Sequence, residues 1–226
     1  MNDNQNIFGL TEDDTKVDPH LMKNSEWGAV VYLTQSIYGK NDEVWNNSNI
    51  NRITGMCGTN VDAANEETGV TYAYNTEIGT NASTTGNIYG IYDMSGGAWD
   101  MVASYINSST ISDTSSLIYQ YGKEIVTNTN MRYKDVYNVG IENTPYNNSI
   151  ANAYKYGDAM YETSCITSDV STITSWYNDD SFYPTGFFCR GGQAVWTTTV
   201  GIYAYQNRGT GDNHVDHGFR VAITVN

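Results

Sequence analysis

The residues best suited to chemistry crowd into one short stretch near the carboxyl end. Two of the three histidines, His214 and His217, stand there with Asp212, Asn213 and Asp216, and the surrounding GTGDNHVDHG has the composition of a loop. Asp212, Asn213 and Asp216 offer the hard oxygen donors that a calcium ion takes. His214 and His217 titrate near neutrality, so a contact made through them would change below about pH 6.5. A histidine base could also activate a hydroxyl, and Ser and Thr are plentiful, but no GxSxG turn or comparable nucleophile-and-base arrangement is present. The third histidine, His20, lies near the other end, so a three-histidine iron site would need an unrelated coincidence of folding. No catalytic residue and no metal ligand is therefore assigned, and calcium is the cation for which the loop has donors.

Cysteine chemistry is equally sparse. Cys57, Cys165 and Cys189 are odd in number and lack CxxC spacing, which signals neither a zinc site nor a disulfide framework. Composition narrows the partners further. A net charge of -14 repels phosphate backbones and removes the electrostatic attraction behind most nucleic-acid binding. The 19 tyrosines supply broad contact area with a polar tip, which suits either a recognition surface or a polar β-rich core. No apolar run approaches the ~18 residues of a membrane span, and MNDNQNIFGL shows no basic stretch followed by an apolar one, so the chain reads as a mature or excised domain.

A loop that presents side chains needs a frame. Residues 1–17 are a polar lead-in, and 18–226 is long enough for one domain with its own core. Asp18 as cap and Pro19 at the first helical position, followed by Leu21, Met22, Trp27, Val30, Val31 and Ile37, predict a helix that Gly39 ends. From 40 to 86 the chain is rich in Asn, Thr and Gly and reads as long loops with short strands. A second helix is expected over 149–164, where Ile150, Ala153, Tyr154, Met160 and Tyr161 share a face. FFCRGG, VGIYAY and GFRVAITV carry β-branched or aromatic residues bounded by glycine and read as strands. Alternation in VGIYAY sets Ile202 and Ala204 on one face and Tyr203 and Tyr205 on the other. Gly96 and Gly97 permit a turn closed to residues with a β-carbon, letting Trp99 fold back beneath it. Arg190 and Arg220 stand beside glycine-rich corners where a planar five-donor group can tie loops together, with Asp93 and Asp100 as candidate partners.

Taken in order, SEWGAVVYL, GNIYGIYDMSGGAWD, CRGG and GFRVAI resemble the C-type-lectin-like fold of the formylglycine-generating (sulfatase-modifying factor) superfamily over residues 18–224. The likeness is greatest to its bacterial and phage ligand-binding branch, which includes variable proteins diversified by retroelements. The resemblance implies an α+β domain, two helices packed on short twisted antiparallel strands with long irregular loops, in which Trp27, Gly96, Gly97, Trp99, Arg190 and Arg220 are structural. Oxidases of the superfamily use a cysteine pair near the carboxyl end; here Cys189 has no cysteine after it, so the resemblance implies a protein that is not an enzyme.

The same resemblance places the ligand-binding face between CRGG and GFR. It implies that the aromatic positions of VGIYAY turn inward, and that Gln193, Val195, Trp196, Thr198, Ala204, Gln206, Asn207 and Arg208 face outward with Asp212, Asn213, His214, Asp216 and His217. Trp196 reads either as the anchor of that face or as a core residue beneath it. The run 207–217 uses only residue types reachable by mutating the adenines of AAC codons, whereas Gln193, Trp196 and Gln206 are not reachable that way. The expected function is non-catalytic recognition of a protein or glycan at a cell or phage surface, in an adhesin or receptor-binding setting. A formylglycine-generating-type oxidase and a structural surface or pilus subunit are the alternatives. One departure stands out: the family carries a strand or two before the first helix, and only polar residues precede it here.

Overall fold

The computed structural model describes residues 17–49, 54–58, 72–108, 111–138, 157–159, 186–194 and 201–225, with the backbone alone for Asn207 and Arg208. The expected helix over 149–164 falls almost wholly outside the described residues, as do the lead-in to residue 16 and Cys165.

The DPHL segment, expected to open the first helix, is a strand. β1 (Val17–Leu21) runs antiparallel to β9 (Val221–Val225), with Val17 opposite Val225 and Leu21 opposite Val221. A two-stranded ribbon tolerates Pro19, since an edge strand need not donate every amide. A strand therefore precedes the first helix, and His20 belongs to it. Asp18 is not a cap: it pairs with Arg132 Nε at 2.9 Å. α1 (Asn24–Thr34) begins later, and its first amides find tertiary partners. Asn24 N–H donates to Ser104 Oγ at 3.0 Å and Ser25 N–H to an Asp135 carboxylate oxygen at 2.7 Å, while Glu26 accepts from Lys23 N–H at 2.9 Å. Carboxylates at a helix N-terminus also meet the positive end of its dipole.

Ser104 and Asp135 reach α1 from the main sheet. Its spine is β4 (Trp99–Asn107), flanked by β5 (Asp135–Asn138) in parallel and β6 (Phe187–Arg190) in antiparallel pairing. β7 (Tyr205–Gly209) extends the sheet from β6, and β8 (His217–Phe219) lies parallel to Trp99–Met101 of β4. β2 (Met56–Cys57) and β3 (Tyr72–Ala73) form a separate short antiparallel pair, and Cys57 and Cys189 are both buried. The architecture is mixed α+β, with two helices and several small sheets among the described residues. None of the helices described is long and apolar enough to cross a membrane.

The second helix described is α2 (Leu117–Thr127), a segment to which the sequence pattern assigned no element. Ser116 caps it by accepting from Tyr119 N–H at 3.2 Å, and Ile118, Gly122 and Ile125 then recur at helical spacing. Ser116→Ala should cost about 1 kcal/mol of stability, readable as a lower urea midpoint at unchanged slope.

The strand expected over VGIYAY starts only at Tyr205. Residues 201–204 form a turn, closed by Ala204 N–H donating to Gly201 O at 2.9 Å, and Ile202, Tyr203, Ala204 and Tyr205 are all buried. The turn is required because Trp27 reaches across from α1 and its indole N–H donates to Ile202 O at 2.8 Å. Both tyrosines are thus packed inward, whereas the expected outward position of Ala204 is overturned. Gly96 and Gly97 adopt φ of 76° and 74°, and Trp99 lies 1% exposed after that turn, beside Cys189 and Ala204. On β9 the apolar residues Val221, Ile223 and Val225 face solvent.

Candidate functional site

The loop between β7 and β8 is fixed at both ends. At its start Gly211 has φ of 81°, and a β-carbon there would sit 3.2 Å from Tyr121 Cβ, so the chain can pass over α2 at this point because the residue is glycine. The Thr210 hydroxyl donates to the Asp212 carboxylate, which stiffens the next step. At its end Trp99 N–H donates to Asp216 O at 2.8 Å, seating β8 on β4.

Between these fixed points a single turn gathers the histidines. His217 N–H donates to His214 O at 3.3 Å, which brings the two rings to 5.1 Å between centroids. His214 Nδ1 meets an Asp216 carboxylate oxygen. Donor atoms of His214, Asp216 and His217 all lie within 4.8 Å of one another. Burial holds His217 below the ordinary histidine range, because desolvation disfavours the imidazolium; the charges of Asp216 and Asp212 oppose this in part and that of His214 reinforces it. His20 takes no part: its Nε2 contacts Glu26 at 2.8 Å in the corner between β1 and α1.

Beside the loop lies a cleft of about 510 Å³, with Asp212, Asn213, His214 and His217 on one side. Its remaining walls are largely apolar and include Tyr121 and Ile125 of α2, Phe187 of β6, Leu21 of β1 and Phe219 of β8. Gly122 makes room for the Phe187 ring, since a β-carbon there would fall 2.0 Å from it. Tyr121 and Phe219, both on the walls of the cleft, remain 56% and 69% exposed, which is unusual for two large apolar groups lining one site.

Of the residues expected to face outward, Asn213 and His214 are exposed and Asp212, Asp216 and His217 half-buried. Gln193, Ala204 and Gln206 are buried, against expectation. Gln193 and Gln206 lie where the chain turns under or joins the sheet, and Ala204 packs on Trp99 and Cys189. Val195, Trp196 and Thr198 are outside the described residues, as are the side chains of Asn207 and Arg208. Tyr121, Phe187 and Phe219 went unrecognised in the sequence. Phe187 and Phe219 sit inside the strand motifs already singled out, whereas Tyr121 belongs to a helix that had not been read.

The two arginines are tethers. Arg220 interrupts the chain between β8 and β9; its Nε donates to Asp100 at 2.6 Å and its Nη2 to Asp93 O, as the sequence suggested. Arg190 takes other partners: Asn24 Oδ1 at 3.0 Å, Asp158 O at 3.1 Å and Ala159 O at 3.3 Å. Both guanidinium carbons lie within 6 Å of the Trp27 ring, at 5.9 and 5.7 Å. Cys189 is fully buried in β6, and desolvation pushes its thiol far above the ordinary range, so it is held as a neutral thiol.

In comparisons with known proteins, no family model, no curated protein and no solved structure matches this chain.

Proposed function

We propose that the chain is a non-catalytic recognition domain with a C-type-lectin-like fold, acting at a cell or phage surface. Its ligand is a protein whose apolar side chain enters the cleft beside the 210–217 loop. The observation that carries this reading is the cleft itself: an apolar floor of Phe187 and Ile125, exposed Tyr121 and Phe219 at its sides, and a polar rim from Asp212 to His217. A desolvated anchor surrounded by a polar rim is the usual energetic pattern of protein recognition. A protein is favoured over a glycan because the floor is aliphatic and aromatic with little polar area to match sugar hydroxyls. The neutral, sealed Cys189 supports a reading without thiol chemistry. The second half of the run 207–217, made of residue types reachable from AAC codons, supplies this rim, while Gln193 and Gln206, which are not reachable, are buried and Trp196 lies outside the described residues. That division is what a retroelement-diversified variable protein would need.

The test is selection from displayed protein and peptide libraries in parallel with a glycan array. Protein ligands should emerge, and Phe219→Ala and Tyr121→Ala should each weaken them by about thirtyfold, roughly 2 kcal/mol, at unchanged melting temperature. Selection of glycans alone, or undiminished binding by both variants, would remove the proposal. A second reading, a structural surface subunit, draws on the exposed Val221, Ile223 and Val225 of β9; it requires concentration-dependent self-association in sedimentation runs.

A further inference from the structure

The geometry points to a divalent transition-metal site of the zinc class formed by His214, Asp216 and His217. Three observations carry it. The donor atoms of these residues lie within 4.8 Å of one another. Bonds of about 2.0–2.1 Å to a tetrahedral zinc ion place donors roughly 3.4 Å apart, so a small inward rotation completes the set. His214, whose side chain is 52% exposed, is free to make that movement.

The second observation is an orphan. His217 Nδ1 is buried and has no hydrogen-bond partner, although its ring lies against Asp216 and His214. A buried ring nitrogen without a partner is costly unless something occupies its lone pair, and a metal does so when that nitrogen is the ligand.

The third is support from the fold. Asp216 and His217 are anchored by the Trp99 N–H to Asp216 O bond and by the pairing of β8 with β4, and the His217 N–H to His214 O bond holds the third ligand over them. One ligand on a strand and two in its preceding turn, tied to it by backbone hydrogen bonds, form a rigid set, unlike an acidic loop that merely solvates its charges.

The donor chemistry selects the ion. Two imidazoles and one carboxylate suit zinc, cobalt, nickel or copper, whereas calcium requires six to eight oxygens. Three protein ligands leave a coordination position open to water or to a donor brought by the occupant of the cleft, which His214 and His217 both line. The site does not depend on the recognition reading, because an ion titration contains no macromolecular ligand and each can fail without the other.

Tag-free protein stripped with a chelator should be titrated calorimetrically with zinc chloride alone and with calcium chloride alone. One zinc per chain is expected, with a rise in melting temperature, and cobalt should give the visible absorption bands of a low-coordinate nitrogen and oxygen site. His214→Ala, Asp216→Asn and His217→Gln should each weaken zinc by at least about tenfold, since even loss of groups behind a ligand costs about 10–100-fold. If His217→Gln loses its circular-dichroism signal, His214→Ala decides, because that side chain is half exposed and has no place in the core. Zinc bound no more tightly by the native chain than by His214→Ala, or calcium bound more tightly than zinc, would overturn the site.

Discussion

Arg190→Met is expected to destabilise the protein by about 3–5 kcal/mol, the range found when one partner of a buried charged network is removed. Arg190 is 0% exposed. Its guanidinium is the point at which three parts of the chain meet: Asn24 at the start of α1, the carbonyls of Asp158 and Ala159, and the rings of Trp27 and Tyr205 at 5.9 and 5.7 Å. The network continues beyond it. Asn24 Nδ2 donates to Tyr137 Oη at 2.9 Å, and the Tyr137 hydroxyl donates to Asp158 at 2.6 Å. Methionine fills much of the volume and donates nothing, so the loss comes from two buried carbonyls and an amide oxygen deprived of their donor. Arg190→Lys should rescue little, because one ammonium cannot reproduce the planar fork. Urea denaturation followed by tryptophan fluorescence measures the change, and a loss below about 1 kcal/mol would mean that the network closes without its arginine.

Glycine corners and the residues they shelter were legible, because a positive φ at Gly96 and Gly97 is a local steric matter and Trp99 follows from it. Arg220 with Asp100 was legible for a similar reason, as charge beside a glycine corner. The first helix was placed too early because Asp18 and Pro19 form a plausible cap and first turn in isolation. The pairing of β1 with β9 joins the two ends of the described chain, and no local pattern encodes a contact across that separation. VGIYAY misled in the same way: its alternation is real, yet the bond from Trp27 to Ile202 O imposes a turn. The cleft was invisible because its walls come from β1, α2, β6 and β8, which are dispersed in sequence. The histidine loop was legible as composition, but its gathering into one cluster depends on β8 docking parallel to β4.

Stability should increase as the pH is lowered from neutrality towards the ordinary carboxylate range, the reverse of ordinary acid denaturation. Four carboxyls decide this: Asp93, Asp100, Asp135 and Asp158 are all raised above the usual range, in each case chiefly by burial. Arg220 opposes the shift at Asp93 and Asp100, the Ser25 amide at Asp135, and the Tyr137 hydroxyl and Arg190 at Asp158, without reversing it. A carboxyl raised on folding binds protons more tightly in the native state. Its contribution is therefore complete below the unfolded value of about 3.9 and is lost as pH climbs through the raised value. Three groups act the other way, of which Lys40, lowered by burial, does so from about 10.5 downward. His217, lowered by burial, withdraws stability as pH falls below about 6.5, and exposed Asp113, lowered by its Ser115 hydrogen bonds, does so only near its own low value. Four buried carboxyls outweigh one half-buried imidazole, and protonation also relieves the self-repulsion of a chain with net charge -14. Melting temperatures across pH 4.5 to 8 test the sign. Asp135→Asn, which keeps an acceptor for Ser25 N–H while removing the charge, should flatten the slope by lifting stability at pH 8 relative to the native chain. A melting temperature that falls steadily from pH 7 to 5 would show that these carboxylates gain more from their partners than they lose by burial.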